Sequence, residues 1–219
     1  MDFVDVCPPA VVERVRGADL ASMENRDLFA WIVAEGSGDC QIQAIPAVAA
    51  RLDADSHPLV VDAFCSAVGA YARFLPAEAL PEIASAYRRI RFDPAIAHSY
   101  FLGLRATGID LRDHLEGRVP VDWSFTDPIP SPTWHYHLYL ASLDEPGALD
   151  RLAEHIARTE DGNDVTAMLN SLHELPGEAV SDILRSYSED SRTSLAPNGP
   201  GLPISTLVGL LLQFRPQQP

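Results

Sequence analysis

Residues 162–187 read GNDVTAMLNSLHELPGEAVSDILRSY, and this stretch contains the pattern that decides the fold. Its apolar residues form two stripes at helical spacing, namely Val165, Met168, Leu169 and Leu172, followed by Val180, Ile183, Leu184 and Tyr187. Pro176 and Gly177 lie between the stripes, where residues that interrupt a helix are expected. The stretch therefore predicts two helices joined by a short turn.

The same spacing extends outward from this hairpin through most of the chain. It predicts a helix over 146–159 and, in the first half, helices over roughly 9–17, 26–35, 39–52, 58–74, 77–91 and 93–106. No segment alternates strictly between apolar and polar residues, and no Asn-Gly turn lies between β-branched runs. The sequence therefore predicts an all-α fold.

Two stretches interrupt this pattern for longer than an ordinary connection between helices. Residues 117–133 contain four prolines, and residues 188–203 are rich in turn-forming and charged residues. Each is expected to be a binding loop or a mobile segment. We expect a single helical domain over residues 1–219, with a subdivision at 117–133 as an open alternative.

A short motif occurs twice, at a spacing of one hundred residues. Residues 75–87 read LPAEALPEIASAY and residues 175–187 read LPGEAVSDILRSY, with six identical positions. A helix hairpin with one apolar side cannot bury that side alone, whereas stacked hairpins can bury it against one another. The pattern therefore favours an α-solenoid built from hairpins, and an irregular helical bundle is the alternative.

The hairpins at 26–52 and 162–187 resemble those of the HEAT-like helical-repeat families. This resemblance implies a right-handed stack of antiparallel helix hairpins over the chain. The chain departs from the family pattern in its two long insertions, and no Asp or Arg recurs at a fixed place in every pair. Small acidic HEAT-like proteins of bacterial type resemble immunity proteins, which implies the inhibition of a toxin.

The charge of the chain restricts its partners. Its 31 acidic residues outnumber its 16 basic residues, all of them arginine, and the formal net charge is −15. Phosphate backbones require a cationic surface, so we expect no nucleic acid partner and favour a basic protein. The N-terminal residues lack the pattern of a secretory signal, and Leu207–Leu212 is too short an apolar run to span a membrane. We therefore expect a cytoplasmic protein that does not bind membranes.

The density of histidine in residues 131–143, SPTWHYHLYLASL, suggests a metal site at His135 and His137. Pro132 and Thr133 indicate the start of a helix, however, and residues two apart on a helix point about 200° from one another. No other histidine completes a metal motif, and no nucleophile, phosphate-binding or calcium motif is complete. We therefore expect no metal, no cofactor and no catalytic residue.

Acidic and aromatic residues at predicted helix ends and loops are the candidate contacts with a partner. Stacked hairpins would align their connecting loops along one edge as a negative strip, and aromatic side chains beside a loop are typical contact anchors. The candidate binding residues are Asp122, Trp123, Asp127, Trp134, Asp144, Glu145, Asp161 and Asp164. For Trp123 and Trp134 the alternative is that they pack the proline-rich insertion onto the helical body.

Three functions fit these features. The first is a non-catalytic protein-binding module, in the form of an acidic, immunity-type inhibitor of a basic partner such as a toxin. The second is an adaptor or regulatory scaffold that binds a protein without inhibiting it. The third, from a different class, is a metal-dependent enzyme that uses His135 and His137.

Overall fold

The computed structural model describes residues 38–119, 131–196 and 199–215, and the described chain is mostly helical. The all-α prediction is therefore confirmed at the level of helix content, whereas the helices predicted over 9–17 and 26–35 lie outside the described residues. No helix in the described ranges has the length and apolar character needed to cross a membrane. Internal contacts divide the chain into two units, residues 1–118 and 119–219.

The N-terminal unit contains five described α-helices, the first four of which lie close to predicted positions. They are α1 (Gly38–Ala49), α2 (Pro58–Tyr71), α3 (Leu80–Arg89), α4 (Ala97–Thr107) and the short α5 (Arg112–Leu115). Short 3-10 helices occupy Ala72–Phe74, Ala77–Ala79 and Pro94–Ile96. Local residues set the boundaries: the ring of His57 accepts a hydrogen bond from the amide of Leu59 at the start of α2, and Gly108 ends α4 with φ of 65°.

The core of this unit depends on the close packing of α2 against α4. A Cβ atom placed on Gly103 would lie 2.0 Å from the Tyr87 hydroxyl and 2.9 Å from the Cys65 carbonyl oxygen, so only glycine fits there. Tyr87 packs edge-on against Tyr100, with ring centroids 4.9 Å apart, and the ring centroid of Phe64 lies 5.8 Å from that of Tyr87. The missing side chain of Gly103 thus makes room for the buried Tyr87.

The C-terminal unit contains the helices α6 (Pro132–Ser142), α7 (Ala148–Arg158), α8 (Gly162–His173), α9 (Glu178–Ser186) and α10 (Ile204–Gln213). The two stripes of residues 162–187 are on α8 and α9, as predicted, with Tyr187 just beyond α9. Most of their members join one apolar cluster with residues of the other helices: Trp134, Leu138, Leu152, Ile156, Val165, Met168, Leu169, Leu172, Leu175, Val180, Leu184, Tyr187, Ile204 and Val208.

A two-stranded antiparallel sheet replaces part of the predicted loop 188–203. Strand β1 (Thr193–Ala196) pairs with β2 (Gly199–Pro203), with Thr193 opposite Pro203. The sheet lies against the start of α8, where a Cβ atom on Gly162 would be 2.0 Å from the Thr193 carbonyl oxygen. The amide of Leu195 also donates a hydrogen bond of 2.8 Å to the side chain of Asn163. These contacts fix the sheet to the helical core.

Both copies of the duplicated motif lead into a helix, but their elements and packing differ. Residues 75–87 form a turn, a 3-10 helix and most of α3, whereas residues 175–187 form a turn and α9. Tyr87 and Tyr187 are both buried at the end of the motif, but Ala79 is buried and Ala179 is exposed. The duplication and the HEAT-like stack stay predictions.

Candidate protein-binding site

The two histidines that suggest a metal site lie on α6, as the capping residues predict. The hydroxyl of Ser131 accepts a hydrogen bond from the amide of Trp134 and begins the helix. Both His135 and His137 are buried, and the described residues contain no group of three His, Cys, Asp or Glu suited to a metal ion. Nothing in the described geometry therefore favours metal chemistry at this position.

His137 occupies a structural position beside an arginine. A guanidinium can only donate hydrogen bonds, so Arg151 Nη1 donates to His137 Nε2 over 3.4 Å. Burial, reinforced by the charge of Arg151, lowers the pKa of His137 to about 4. The imidazole is therefore neutral at pH 7 and accepts a hydrogen bond from the neighbouring helix α7.

Trp134 belongs to the core of the C-terminal unit. Its side chain is fully buried, lies in the apolar cluster, and has its ring centroid 6.4 Å from that of His155. A partner that leaves the fold intact cannot reach this side chain. The burial of Trp134 favours a packing role, which is the alternative to a partner contact, while Asp122, Trp123 and Asp127 lie outside the described residues.

The four described acidic candidates form two pairs rather than one strip. Asp144 and Glu145 lie in the turn before α7, whereas Asp161 and Asp164 lie at the start of α8, beyond the other end of α7. The eleven residues of α7 separate the two pairs by about 16 Å along the helix axis. Consecutive turns in a row of antiparallel helices fall at alternating ends, so the structure does not bring these four residues together.

Asp161 also has a local structural role. Its carboxylate accepts hydrogen bonds from the amides of Asn163, at 2.7 Å, and Asp164, at 3.2 Å, and so caps α8. Partial burial, together with the charge of Asp161, raises the pKa of Asp164. The carboxylate of Asp161 therefore stabilises the start of α8 through its hydrogen bonds whether or not a partner binds, whereas the negative charge of Asp164 is disfavoured beside it.

The surface most suited to a protein partner contains none of the candidate residues predicted from the sequence. Residues 193–214 contain no charged residue and no histidine, although 21% of the chain is charged. Four of the six large apolar side chains that are exposed among the described residues lie in this stretch: Leu195 (76% exposed), Leu202 (37%), Leu210 (44%) and Phe214 (70%). Free protein surfaces seldom concentrate apolar side chains in this way without a function.

Helix α10 carries the continuous part of this surface. Ile204, Leu207 and Val208 are buried towards α8 and α9, while the opposite side is exposed. We call this side the outer face of α10, and it consists of Thr206, Gly209, Leu210, Gln213 and Phe214, the residue that follows the helix directly. These residues follow helical spacing and include no charge, although a solvated helix normally carries charged residues on its exposed side. The uncharged run 193–214 was the signal in the sequence that could have identified this face.

Arg215 holds the end of α10 in place. Its Nη1 donates to the Ser181 hydroxyl at 2.7 Å, and its Nη2 donates to the carbonyl oxygens of Leu175, at 2.8 Å, and Gly177, at 3.1 Å. The outer face is thus presented by a helix that is fixed on both its buried side and its C-terminal end.

The chain was compared with models of known protein families, with curated proteins and with solved structures, and no match was found.

Proposed function

We propose that the chain is a non-catalytic protein-binding module and that the outer face of α10 is its contact surface. The observation that carries this proposal is the exposure of Leu210 and Phe214 on a fixed helix face without charge. Interfaces obtain most of their affinity from a few large side chains that become fully desolvated on binding. Leu210 and Phe214 are four residues apart, so both can enter one apolar groove of a partner.

The net charge of −15 supports a basic partner. A strongly negative protein attracts a positive one over long distances and repels acidic competitors. The partner in this proposal is a basic protein such as a toxin, whose active surface the chain covers as an immunity-type inhibitor does. We propose that this inhibitor is built as a stack of antiparallel HEAT-like hairpins and that it acts in the cytoplasm.

Charge-introducing variants of the outer face provide the test. In Leu210→Glu and Phe214→Glu, a partner groove would have to bury a carboxylate, which is strongly unfavourable without a counter-charge. Leu59→Glu and Phe74→Glu serve as matched controls, because these side chains belong to the N-terminal unit and are 48% and 52% exposed. The wild-type chain and all four variants are immobilised and exposed to lysate of the source organism at about 50 mM salt, where electrostatic attraction is only weakly screened.

We expect mass spectrometry to identify a basic protein that the wild-type chain and both control variants retain and that the Leu210→Glu and Phe214→Glu variants lose. Circular dichroism should be the same for all four variants, since each replaced side chain is exposed. Retention of the same protein by all variants would place the contact elsewhere. If the wild-type chain retains no protein, the proposed function is wrong.

A further inference from the structure

A polar cleft of about 420 Å³ lies in the N-terminal unit, apart from the outer face of α10. It is lined by Arg88, Asp110, Leu111, Arg112, Asp113 and His114. Arg88 comes from the end of α3, and the other residues come from α5 and the turn before it. The volume is that of a site for a small molecule, and the lining is dominated by charged groups.

The charges in this cleft are not all neutralised within the protein. Arg112 forms a bidentate ion pair with Asp110, with Nη2 2.7 Å from Oδ2 and Nε 3.1 Å from Oδ1. Arg88 is exposed, and no carboxylate of the described residues forms an ion pair with it. Within the described part of the chain, the guanidinium of Arg88 therefore lines the cleft without a carboxylate partner.

His114 adds a second hydrogen-bond donor. Arg118 Nη1 lies 3.1 Å from His114 Nε2, and because a guanidinium has no acceptor, Nε2 must accept this hydrogen bond. The proton of the neutral ring is then on Nδ1. Burial lowers the pKa of His114, and the positive charges of Arg118 and Arg88 lower it further, so the ring is neutral at pH 7.

We propose that this cleft binds a phosphoryl group, either as free phosphate or on a small phosphorylated molecule. In this arrangement Arg88 and His114 Nδ1 donate to it from two different elements, and Arg112 lines the same cleft. One guanidinium can donate hydrogen bonds to both oxygens of a planar carboxylate, whereas a tetrahedral phosphoryl group offers its oxygens to donors from several directions. Asp113 also lines the cleft, so the lining arginines Arg88 and Arg112 are balanced by Asp110 and Asp113, and one further positive charge comes from Arg118, which contacts His114 from outside the lining.

This inference is tested on the full chain with inorganic phosphate, phenyl phosphate and acetate as probes. Binding is followed by calorimetry and by the NMR signals of the His114 ring. We expect saturable phosphate binding that shifts the His114 signals and is at least about tenfold tighter than that of acetate, because charge-assisted hydrogen bonds to several oxygens add to one another. Tighter binding of phenyl phosphate than of phosphate would identify a phosphorylated molecule as the ligand, and the reverse order would identify free phosphate.

The matched variants are Arg88→Gln and Arg91→Gln. Both arginines are exposed and each substitution removes one positive charge, but Arg91 does not line the cleft. We expect Arg88→Gln to weaken phosphate binding about tenfold or more and Arg91→Gln to change it less than about twofold. Equal losses in the two variants, equal affinity for acetate, or the absence of saturable binding to the wild-type chain would each overturn the proposal.

Discussion

At the scale of single residues, several arginines of this chain form contacts that lysine could not form. Arg89 donates from Nε to the Leu52 carbonyl oxygen at 2.9 Å and from Nη2 to that of Ala49 at 2.6 Å, which ties α3 to the end of α1. Arg215 binds two carbonyls in the same manner. A guanidinium has five donors in a fixed plane, whereas the ammonium of lysine is a single point. The absence of lysine is therefore compatible with a structural use of arginine at helix ends.

Two glycine-to-alanine substitutions should have opposite effects on stability. In Gly103→Ala, the new methyl group would meet Tyr87 and Cys65, and the resulting shifts should lower the free energy of unfolding by about 1–3 kcal/mol. In Gly209→Ala, the methyl group has no atom within 4 Å, and the lower entropy of the unfolded chain should stabilise the protein by about 0.5–1 kcal/mol. Urea unfolding of both variants measures these differences. Equal destabilisation by the two substitutions would contradict the packing described at Gly103.

The buried imidazole of His137 should make stability depend on pH. The pKa of His137 falls from 6.5 to about 4 in the folded chain, so between these values the unfolded chain binds more protons. Stability should therefore be complete above pH 6.5 and decrease as the pH falls towards 4, by at most about 1.4 kcal/mol per pH unit from this group. Urea unfolding at pH 7 and pH 5 should show a smaller decrease in His137→Gln than in the wild-type chain. The same decrease in both would exclude His137 as its cause.

At the scale of elements, local sequence signals predict where the helices lie but not which elements pack against each other. The helices predicted over 58–74 and 77–91 match α2 and α3 with their 3-10 turns, because the proline and glycine breaks lie next to each stripe in the sequence. The sheet at 193–203 was missed because its strands lack β-branched runs, although Asn198-Gly199 is a typical hairpin dipeptide. The sequence leaves the burial of Trp134 as one of two alternatives, since an aromatic residue at a helix start fits a core and a surface equally well.

The cap of α8 provides a prediction at this scale. In Asp161→Ala, the amides of Asn163 and Asp164 lose their acceptor, and the free energy of unfolding should fall by about 1 kcal/mol. Asp161→Asn keeps a side-chain oxygen at the same place and should cost only a few tenths of a kcal/mol, because Asn and Asp cap helices about equally well. Thermal unfolding of the two variants distinguishes these effects. A cost as large in Asp161→Asn as in Asp161→Ala would show that the charge, and not the hydrogen bonds, stabilises the start of α8.

At the scale of the whole molecule, the acidic residues and most of the exposed large apolar side chains lie in different parts of the sequence. The acidic residues are distributed over both units, whereas the stretch 193–214 has no charge at all. Such a separation allows long-range attraction to set the rate of association and apolar contact to set the rate of dissociation. The composition alone predicts the attraction, but the contact surface depends on which side of α10 the core covers, and that follows only from the packing of α8 and α9.

The rate constants of partner binding should show that charge controls association and that apolar contact controls dissociation. For the basic partner of the proposed function, the association rate constant should fall at least about tenfold between 50 and 500 mM salt, because screening removes the long-range attraction. Leu210→Glu should mainly increase the dissociation rate constant. Asp144→Asn combined with Glu145→Gln, and separately Asp161→Asn combined with Asp164→Asn, remove the same charge at opposite ends of α7. The double variant that slows association more in surface plasmon resonance identifies the acidic pair that faces the partner. An association rate constant independent of salt would show that the acidic charge does not select the partner.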